Sequence, residues 1–295
     1  MAASELRQYV VGNISVAVNF LHVVKIIVFV FVAVLTTSPV MGRSPWIILS
    51  GMGAVTAVQA AYQLKEFVPK IYLGTAIYKS VVIELAEPFT KVLVADDGSG
   101  DETRDLIERH ARDCGHPVKH IWHEDDGFRK TVILNKSVVA ASGDYLIFID
   151  GDCITHPDFI SEHVRQARPG HYLNGSLIRL GKVLSDRITE EAILGGQAFR
   201  TAWLMRQGRG FDRRYLRLAL PYGLRQRLNS HTRTTLYWLG SNSSCFKADA
   251  VAVNGFDHRF TYGLEDADFG YRLELSGVRP RTVRWTAVSL HLWHG

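Results

Sequence analysis

The sequence contains few cysteines. Its 295 residues include three, Cys114, Cys153 and Cys245, and none of them belongs to a Cys-x-x-Cys pair. Because disulfide frameworks and structural zinc sites use several cysteines at characteristic spacings, neither is expected. We interpret the three as reduced thiols in a cytosolic setting. The sequence also lacks internal repeats and low-complexity tracts. With 47% apolar residues, its composition is that of an ordinary globular protein.

Charge of either sign is modest, with a small positive excess. The formal net charge is +5 at pH 7, which suits an anionic substrate or an anionic membrane surface without identifying either. No nucleic-acid-binding motif occurs in the sequence, so no nucleic acid partner is expected.

The first 68 residues differ from the rest and form a hydrophobic N-terminal segment. Two apolar runs occur in it, at 16–35 and 45–62. Polar residues within the first run argue against a simple membrane span, because polar groups are costly at membrane depth. A helical hairpin in or on a membrane and a buried β-rich segment are both compatible with the pattern. We therefore place the protein in the cytoplasm, at the inner face of the cell membrane.

From residue 69 onward, strand and helix patterns alternate. The predicted order is strand, turn and helix over 91–115, a short strand into a polar turn over 120–128, helix over 129–143, strand over 144–152 and helix over 156–168. This order predicts an α/β fold with an open, mostly parallel sheet and helices on both faces. In such sheets ligands bind at the carboxyl ends of the strands.

Two acid pairs fall at predicted strand ends. Asp96-Asp97 follows one strand, and Asp150-Gly151-Asp152 follows another. Buried carboxylates are costly unless they are paired or bind a metal, so a positive group is expected there. Mg²⁺ or Mn²⁺ fits, since such ions bind through one or two carboxylates together with substrate phosphates. Asp96-Asp97 before Gly-Ser is equally typical of a turn that caps a helix.

Three segments occur in an order that resembles a known family. They are VLVADDGSGDET, EDDGFRKTVILNKSVVAASGDYLIFIDGDC and NGFDHRFTYGLEDADFGYRL. Over residues 88–295 the chain resembles family-two glycosyltransferases of the GT-A fold, especially bacterial enzymes of lipopolysaccharide core, capsule or chondroitin-type synthesis. The resemblance implies an inverting transfer of sugar from a nucleotide-diphosphate sugar to a saccharide or glycolipid acceptor. It also implies Mn²⁺ or Mg²⁺ as cofactor.

The resemblance assigns residues to donor and metal binding. Asp97 would contact the base or ribose, with Asp96 beside it, and Asp150 the ribose or sugar. The metal would bind Asp152 and a late histidine, for which we favour His291 over His294. Positions near the nucleotide or the acceptor would be Asp126, Arg129, Asn135, Gly240 and Asn242. For Arg129 and Lys130, an ordinary solvated helix start is the alternative.

The same resemblance assigns the reaction to Glu265 and Asp266. A helix beginning near Glu265 places both in its first turn, where the helix dipole stabilises anions and favours an ionised Asp266. By match, Asp266 is the catalytic base, and Glu265 binds acceptor hydroxyls or orients Asp266. Simple charge capping of the helix is the alternative interpretation.

The chain departs from the family at its first strand. Residues 70–89 lack the Tyr-Asn signature that follows this strand in the family. Within them, KIYLGT is predicted as the strand and AIYKSVVIELAE as the helix. An impaired donor site would leave a non-catalytic membrane-associated scaffold or a sugar-nucleotide-binding remnant. Receiver domains also use strand-end aspartates, but a receiver domain would leave Glu265-Asp266 unexplained. Haloacid-dehalogenase-like phosphatases use them as well, but they require the sequence Asp-x-Asp-Gly-Thr, which this chain lacks.

An arginine-rich insertion is predicted over residues 182–233. Within it, 211–228 has interleaved arginine and apolar residues with a break at Pro221. Such a pattern is typical of a basic amphipathic helix on an anionic bilayer. A solvated insertion is the alternative.

Overall fold

A computed structural model of the chain describes residues 79–86, 89–113, 117–208, 210–232, 237–260 and 263–294. The hydrophobic segment 1–68 and the predicted strand KIYLGT lie outside these residues. Within the described ranges, no helix combines the length and apolar character needed to cross a membrane.

Strands and helices alternate along the first half of the described chain. In order, these elements are β1 (Lys79–Ala86), β2 (Phe89–Asp97), α1 (Asp101–Asp113), β3 (Val118–His123), α2 (Lys130–Ala140), β4 (Tyr145–Asp150), β5 (Cys153–Thr155) and α3 (Phe159–Gln166). The strand and helix predictions from residue 91 to residue 168 are thus confirmed in type and order.

The second half contains shorter elements. They are β6 (His171–Asn174), β7 (Ser176–Arg179), α4 (Lys182–Ser185), α5 (Glu190–Leu194), α6 (Thr201–Gly208), α7 (Leu216–Ala219), α8 (Tyr222–His231), β8 (Ser243–Phe246), α9 (Lys247–Ala252), α10 (Glu265–Leu275), β9 (Arg279–Thr282) and β10 (Val288–His291). Two 3₁₀ turns, Gln197–Phe199 and Arg213–Tyr215, lie between these helices.

The main sheet has the strand order β3-β2-β1-β4-β8-β6-β9. β1 is antiparallel to β2 and β4, and β8 is antiparallel to β4 and β6. The pairs β2–β3 and β6–β9 are parallel. The open α/β sheet is confirmed, but "mostly parallel" is wrong, because β1 and β8 run against their neighbours.

Helices cover both faces of this sheet, as predicted. β4 shows this directly, because Leu146 and Phe148 belong to one apolar cluster while Ile147 and Ile149 belong to another. The first cluster includes Ile133 and Leu134 of α2 and Phe269 and Leu273 of α10. The second includes Ile107 of α1 and Phe159 and Ile160 of α3. A strand buried on both faces explains why its sequence is apolar without alternation.

The predicted helix AIYKSVVIELAE is wrong, because residues 79–86 form strand β1. Only residues 87 and 88 separate β1 from β2, and a link this short permits antiparallel pairing alone. The run Val81-Val82-Ile83 also favours a strand, since β-branched residues fit an extended chain.

A second sheet of three strands, in the order β5-β10-β7, carries the end of the chain. β10 is antiparallel to β5, with His291 opposite Cys153, and parallel to β7. This pairing brings the last histidines next to the loop that follows β4.

The arginine-rich segment is broken at Pro221, as predicted, because α7 ends at Ala219 and α8 begins at Tyr222. Its faces differ from those of a basic amphipathic helix. Arg225 is buried at 8% exposure, and the guanidinium of Arg214 binds Asp212. Within residues 211–228, the large apolar side chains that face outward are Phe211, Leu216 and Leu224. Arg225 and Arg214 thus make contacts within the protein, while Arg213 and Arg227 are exposed.

Candidate functional site

The two acid pairs lie at the same edge of the main sheet. Ser80 of β1 is opposite Ala95 on one side and Asp150 on the other. Asp96 and Asp150 are therefore separated by a single strand, which corresponds to roughly 10 Å. β8 begins at this same edge, since its Ser243 is opposite Phe148. The loop before β8 thus joins the acids.

Asp96 and Asp97 are both buried and both bonded to protein. Asp96 Oδ1 accepts from the backbone N–H of Ser99 at 3.0 Å, and Oδ2 lies 2.9 Å from Nε2 of His120. Asp97 bonds to Nε2 of His123 and accepts from the backbone N–H of Arg129 at 2.8 Å. The pair fastens β2 to β3 and to the start of α2.

Arg129 and Asp126 lie together on the loop before α2. The guanidinium of Arg129 is 3.2 Å from Oδ2 of Asp126 and donates to the backbone oxygen of Glu124 at 2.7 Å. The Asp126 side chain is 77% exposed. These two residues brace their own loop, and their expected contacts with the nucleotide stay a prediction.

Asn135 fastens the loop that precedes α10. Its Nδ2 donates to the backbone oxygen of Phe256, and its Oδ1 accepts from the Phe256 N–H, both at 2.7 Å. A Cβ at Gly255 would lie 2.2 Å from Asn135 Oδ1, so only glycine fits there. Both polar atoms of its side chain contact this loop, and the expected nucleotide contact of Asn135 stays a prediction.

Lys130 joins the acids at the centre of the edge. Its Nζ lies 2.8 Å from Oδ1 of Asp150. Burial alone would lower the pKa of this ammonium, but the carboxylates of Asp150 and Asp266 raise it well above its ordinary value. Lys130 therefore stays charged and holds two carboxylates in one small volume. The resemblance implies that the segment of Lys130 lies near the nucleotide, but it does not predict the contact of Lys130 with Asp150; the place of Lys130 as the first residue of α2 was the available signal.

Asp266 lies in the first turn of α10 and is held by the loop before β8. The backbone N–H of Gly240 donates to its Oδ2 at 2.9 Å. Burial raises the pKa of Asp266 to about 6, against the lowering effect of Lys130. The helix dipole therefore does not dominate, as the sequence suggested it would, because desolvation of the carboxylate outweighs it. Among the described residues, Asp266 Oδ1 has no hydrogen-bond partner.

Glu265 begins α10 behind an unusual backbone turn. Gly263 and Leu264 both have positive φ, at 78° and 65°, and Leu264 is not a residue that readily adopts this conformation. Glu265 is 8% exposed, and its Oε2 has no partner within the described ranges. Strained backbone of this kind persists where the surroundings fix it, often at functional sites.

Asp152, His291 and His294 form a cluster of potential metal ligands. Asp152 Oδ2 lies 3.3 Å from Nε2 of His291 and 3.1 Å from Nε2 of His294. One ligand atom from each residue lies within 4.8 Å of the others. Adjacent ligands of an octahedral ion with bonds of about 2.1 Å stand roughly 3 Å apart, so the spacing fits. The donor set of one carboxylate and two imidazoles is chemically able to hold a divalent cation.

Asn242 does not face the site, contrary to its predicted role. The residue is completely buried, and its Nδ2 donates to the backbone oxygens of Ser176 and Ala287 at 3.0 and 3.1 Å. Its Oδ1 lies 3.0 Å from Nε2 of His163. With these polar atoms bonded inside the protein, Asn242 ties β8 to the second sheet.

Comparison with known proteins agrees with these features. Residues 77–191 match the family described as glycosyl transferase family 2, and residues 229–293 match the N-terminal domain of galactosyltransferase. The chain is 27% identical over 227 residues to validoxylamine A glucosyltransferase of Streptomyces hygroscopicus subsp. jinggangensis, covering 72% of this chain and 49% of that protein.

Two further matches are more distant. The O-antigen biosynthesis protein RfbC of Myxococcus xanthus is 26% identical over 196 residues, which is 65% of this chain and 14% of that protein. A crystal structure of Mycobacterium tuberculosis glucosyl-3-phosphoglycerate synthase with Mn²⁺, uridine diphosphate and glucosyl-3-phosphoglycerate is 17% identical. It has a TM-score of 0.36, covering 81% of this chain and 70% of that one.

The chain spans about half the length of the first curated relative and less of the second. The matched region 77–191 contains both acid pairs and Lys130, and the region 229–293 contains Gly240, Asp266 and His291. Residues 77–191 of this chain thus match the glycosyltransferases of family 2.

Proposed function

We propose that the protein is a metal-dependent, inverting glycosyltransferase. It takes a nucleotide-diphosphate sugar as donor and a saccharide or glycolipid of a surface polysaccharide or lipopolysaccharide core as acceptor. The observation that carries this proposal is the convergence of Asp150, Lys130 and Asp266 at one sheet edge. The Asp152–His291–His294 cluster adjoins them, because Asp152 follows Asp150 in sequence and strand pairing brings the histidines to it.

Asp266 is the proposed proton acceptor. An acceptor hydroxyl is a poor nucleophile until its proton is removed, and a positioned base contributes about 10²–10⁴-fold to the rate. A pKa of about 6 leaves Asp266 ionised at neutral pH, yet basic enough to take a proton in the transition state. The Gly240 N–H bonds one oxygen of Asp266 and leaves the other for the incoming hydroxyl.

Lys130 and Asp150 are proposed to hold the donor side of the reaction. Asp150 contacts a sugar or ribose hydroxyl as acceptor of its hydrogen bond. The charge of Lys130 lowers the pKa of Asp266 and so counters the neighbouring carboxylate of Asp150, which raises it.

A divalent cation would be held by Asp152, His291 and His294. When bound, it supplies positive charge that stabilises the leaving diphosphate. His291 bridges β10 to the loop after β4, and His294 lies three residues further on, so both late histidines contribute rather than one alone.

A sugar-nucleotide-binding remnant without catalysis is the second candidate. The antiparallel β1, joined to β2 by only two residues, favours it, because the family places a helix between its first two strands. If the turn after β1 does not bind the nucleotide, the affinity for the nucleotide-sugar donor is lowered. A membrane-associated scaffold would lack donor affinity altogether.

Calorimetry with uridine, guanosine and thymidine diphosphate sugars, with and without Mn²⁺, tests the proposal. We expect one nucleotide class to bind in the micromolar to millimolar range, with affinity that depends on Mn²⁺ and release of the nucleotide diphosphate over time. Metal-dependent binding without turnover would identify a remnant. Absence of binding for every nucleotide would refute the proposed function.

A further inference from the structure

A cavity of about 250 Å³ lies beside the loop that holds Asp266. The residues lining it come from the β6–β7 turn, the segment around α7, the loop before β8 and the loop before β10. They include four arginines, Arg179, Arg214, Arg217 and Arg284, together with Tyr237 and Leu239. We call this the arginine cavity.

Positive charge in the arginine cavity exceeds negative charge. Among the described residues that line it, none is acidic. The neighbouring Asp212 binds the fork of Arg214, with Nε 2.8 Å from Oδ2 and 3.0 Å from Oδ1. Arg214 is thus paired with an acidic neighbour that does not itself line the cavity.

Arg217 shows the electrostatic effect of this crowding of guanidinium groups. Burial, and then the neighbouring Arg284 and Arg214, lower the pKa of Arg217 to about 10. Its NH1 lies 3.4 Å from the backbone oxygen of Leu177, a neutral partner. Like charges gathered around a pocket are a cost to the fold that an anionic ligand removes.

The cavity shares a wall with the proposed base. Leu239 lines it, and the next residue, Gly240, donates its N–H to Asp266. Asn174, another lining residue, donates from Nδ2 to the backbone oxygen of Tyr237 and so fixes the same loop. A molecule with one end in the cavity can therefore extend along this loop toward Asp266.

We propose that the arginine cavity binds a phosphate or carboxylate group of the acceptor, so that this enzyme selects anionic acceptors. The inference rests on the proposed function, because it names the substrate class of that same site. The planar guanidinium group binds the oxygens of carboxylate and phosphate groups, often through two parallel hydrogen bonds. The volume is below the range of about 300–1,000 Å³ typical of whole drug-sized ligands, so it accommodates one charged group of a larger molecule.

The test is calorimetry on the 295-residue chain with matched probes at constant ionic strength. Glucose 6-phosphate and glucuronate carry the anion, and glucose is the neutral control. Vesicles with phosphatidic acid, against vesicles of phosphatidylcholine alone, present the phosphate as a lipid headgroup. Each titration is repeated with Mn²⁺ and a nucleotide diphosphate present.

The variants are Arg217→Gln and, because Arg217 is partly buried, the exposed Arg179→Gln as a second. Arg227→Gln is the matched control, since Arg227 is an exposed residue of the same segment that does not line the cavity. We expect an anionic probe to bind in preference to glucose. Either cavity variant should weaken it about tenfold or more, because a charge-assisted hydrogen bond is lost. Arg227→Gln should leave it unchanged.

The soluble probes and the vesicles distinguish the two sources of phosphate. If the parent binds either kind of anionic probe and the cavity variants bind it more weakly, the inference is supported. Failure of every anionic probe to bind at millimolar concentration overturns it, as does equal binding by parent, Arg217→Gln and Arg179→Gln. Nucleotide binding that persists in that case leaves the proposed function standing. Arginine-dependent anion binding without any nucleotide binding would leave an anion site in the arginine cavity but refute the proposed function.

Discussion

The backbone N–H of Gly240 donates to Oδ2 of Asp266 at 2.9 Å, across 26 residues of sequence. No side chain fits between them, because a Cβ at position 240 would lie 2.5 Å from Oδ1 and 2.7 Å from Oδ2 of Asp266. The loop before β8 and the first turn of α10 are thus fixed against each other. The position of the proposed base depends on this contact.

Replacing Gly240 by alanine should therefore reduce turnover more than donor binding. The methyl group must displace the Asp266 carboxylate, and a misplacement of about 1 Å at a reacting group can cost about 10²-fold in rate. We expect kcat to fall at least tenfold, with the affinity for the nucleotide sugar within a few-fold of the parent. Gly100→Ala is the matched control, since a Cβ there meets nothing within 4 Å. Equal kcat in Gly240→Ala and parent would remove this role from Gly240.

Activity should fall on the acid side with a midpoint set by Asp266. Burial raises the pKa of this carboxyl from 3.8 to about 6, and the base must be ionised to accept a proton. The rate should therefore be maximal above pH 6 and fall tenfold per pH unit below it.

Because the fold favours the neutral form, Asp266 adds stability below pH 3.8 that is lost as the pH rises through 6.

Lys130 provides the check on that assignment. Its charge lowers the pKa of Asp266, so Lys130→Met should move the acid limb of the pH–rate profile to higher pH. Lys182→Met, which removes an exposed lysine paired with Asp186, should leave the limb in place. An acid limb that does not move in Lys130→Met would assign it to another group.

The metal cluster should govern nucleotide binding. Asp152→Ala should abolish the Mn²⁺-dependent part of nucleotide affinity, because the residue is the shared partner of both histidines. His291→Ala and His294→Ala should each weaken it, and Asp186→Ala, at an exposed carboxylate, should not. Calorimetry with and without Mn²⁺ measures all four. If either histidine variant binds like the parent, that histidine is not a ligand.

Asn242 should matter for stability rather than for substrate affinity. Its replacement by alanine leaves the Ser176 and Ala287 carbonyls and His163 without their buried partner. An unpaired buried polar group costs about 1–3 kcal/mol, so the free energy of unfolding should fall by at least that amount. Denaturant unfolding measures it. Unchanged stability with weakened donor affinity would restore the role predicted from the sequence.

The sequence was most informative where chemistry and chain position coincide. The apolar run of β4 ends in Asp150-Gly151-Asp152, so both the strand and the acids at its end were predictable. Asp152, His291 and His294 were grouped by resemblance, and the pairing of β10 with β5 brings them together.

Partners distant in sequence explain what was missed. Asn242 sits in a Gly-Ser-Asn-Ser-Ser stretch that suggests a ligand loop, yet its partners lie 45 to 79 residues away. Lys130 is paired with Asp150 only by the tertiary fold, 20 residues on. Strand direction has no local signature either, which is why the antiparallel β1 and β8 were not foreseen. In the arginine-rich segment, the interleaved arginine and apolar residues predicted a basic face and an apolar face, but the pattern did not predict which side chains point into the protein.

The measurement that tests the account most directly is sugar transfer by Asp266→Asn, read together with donor affinity. Asparagine keeps the shape of the side chain but cannot take the proton, so transfer should fall by about 10²-fold or more. The affinity for the nucleotide sugar with Mn²⁺ should stay within a few-fold of the parent, and stability at pH 7 should not decrease, because a buried charge is removed. Glu265→Gln should also lower activity, partly through acceptor affinity. Turnover by Asp266→Asn within a few-fold of the parent would contradict the account, and joint loss of donor binding and activity would assign Asp266 to the donor or metal site instead.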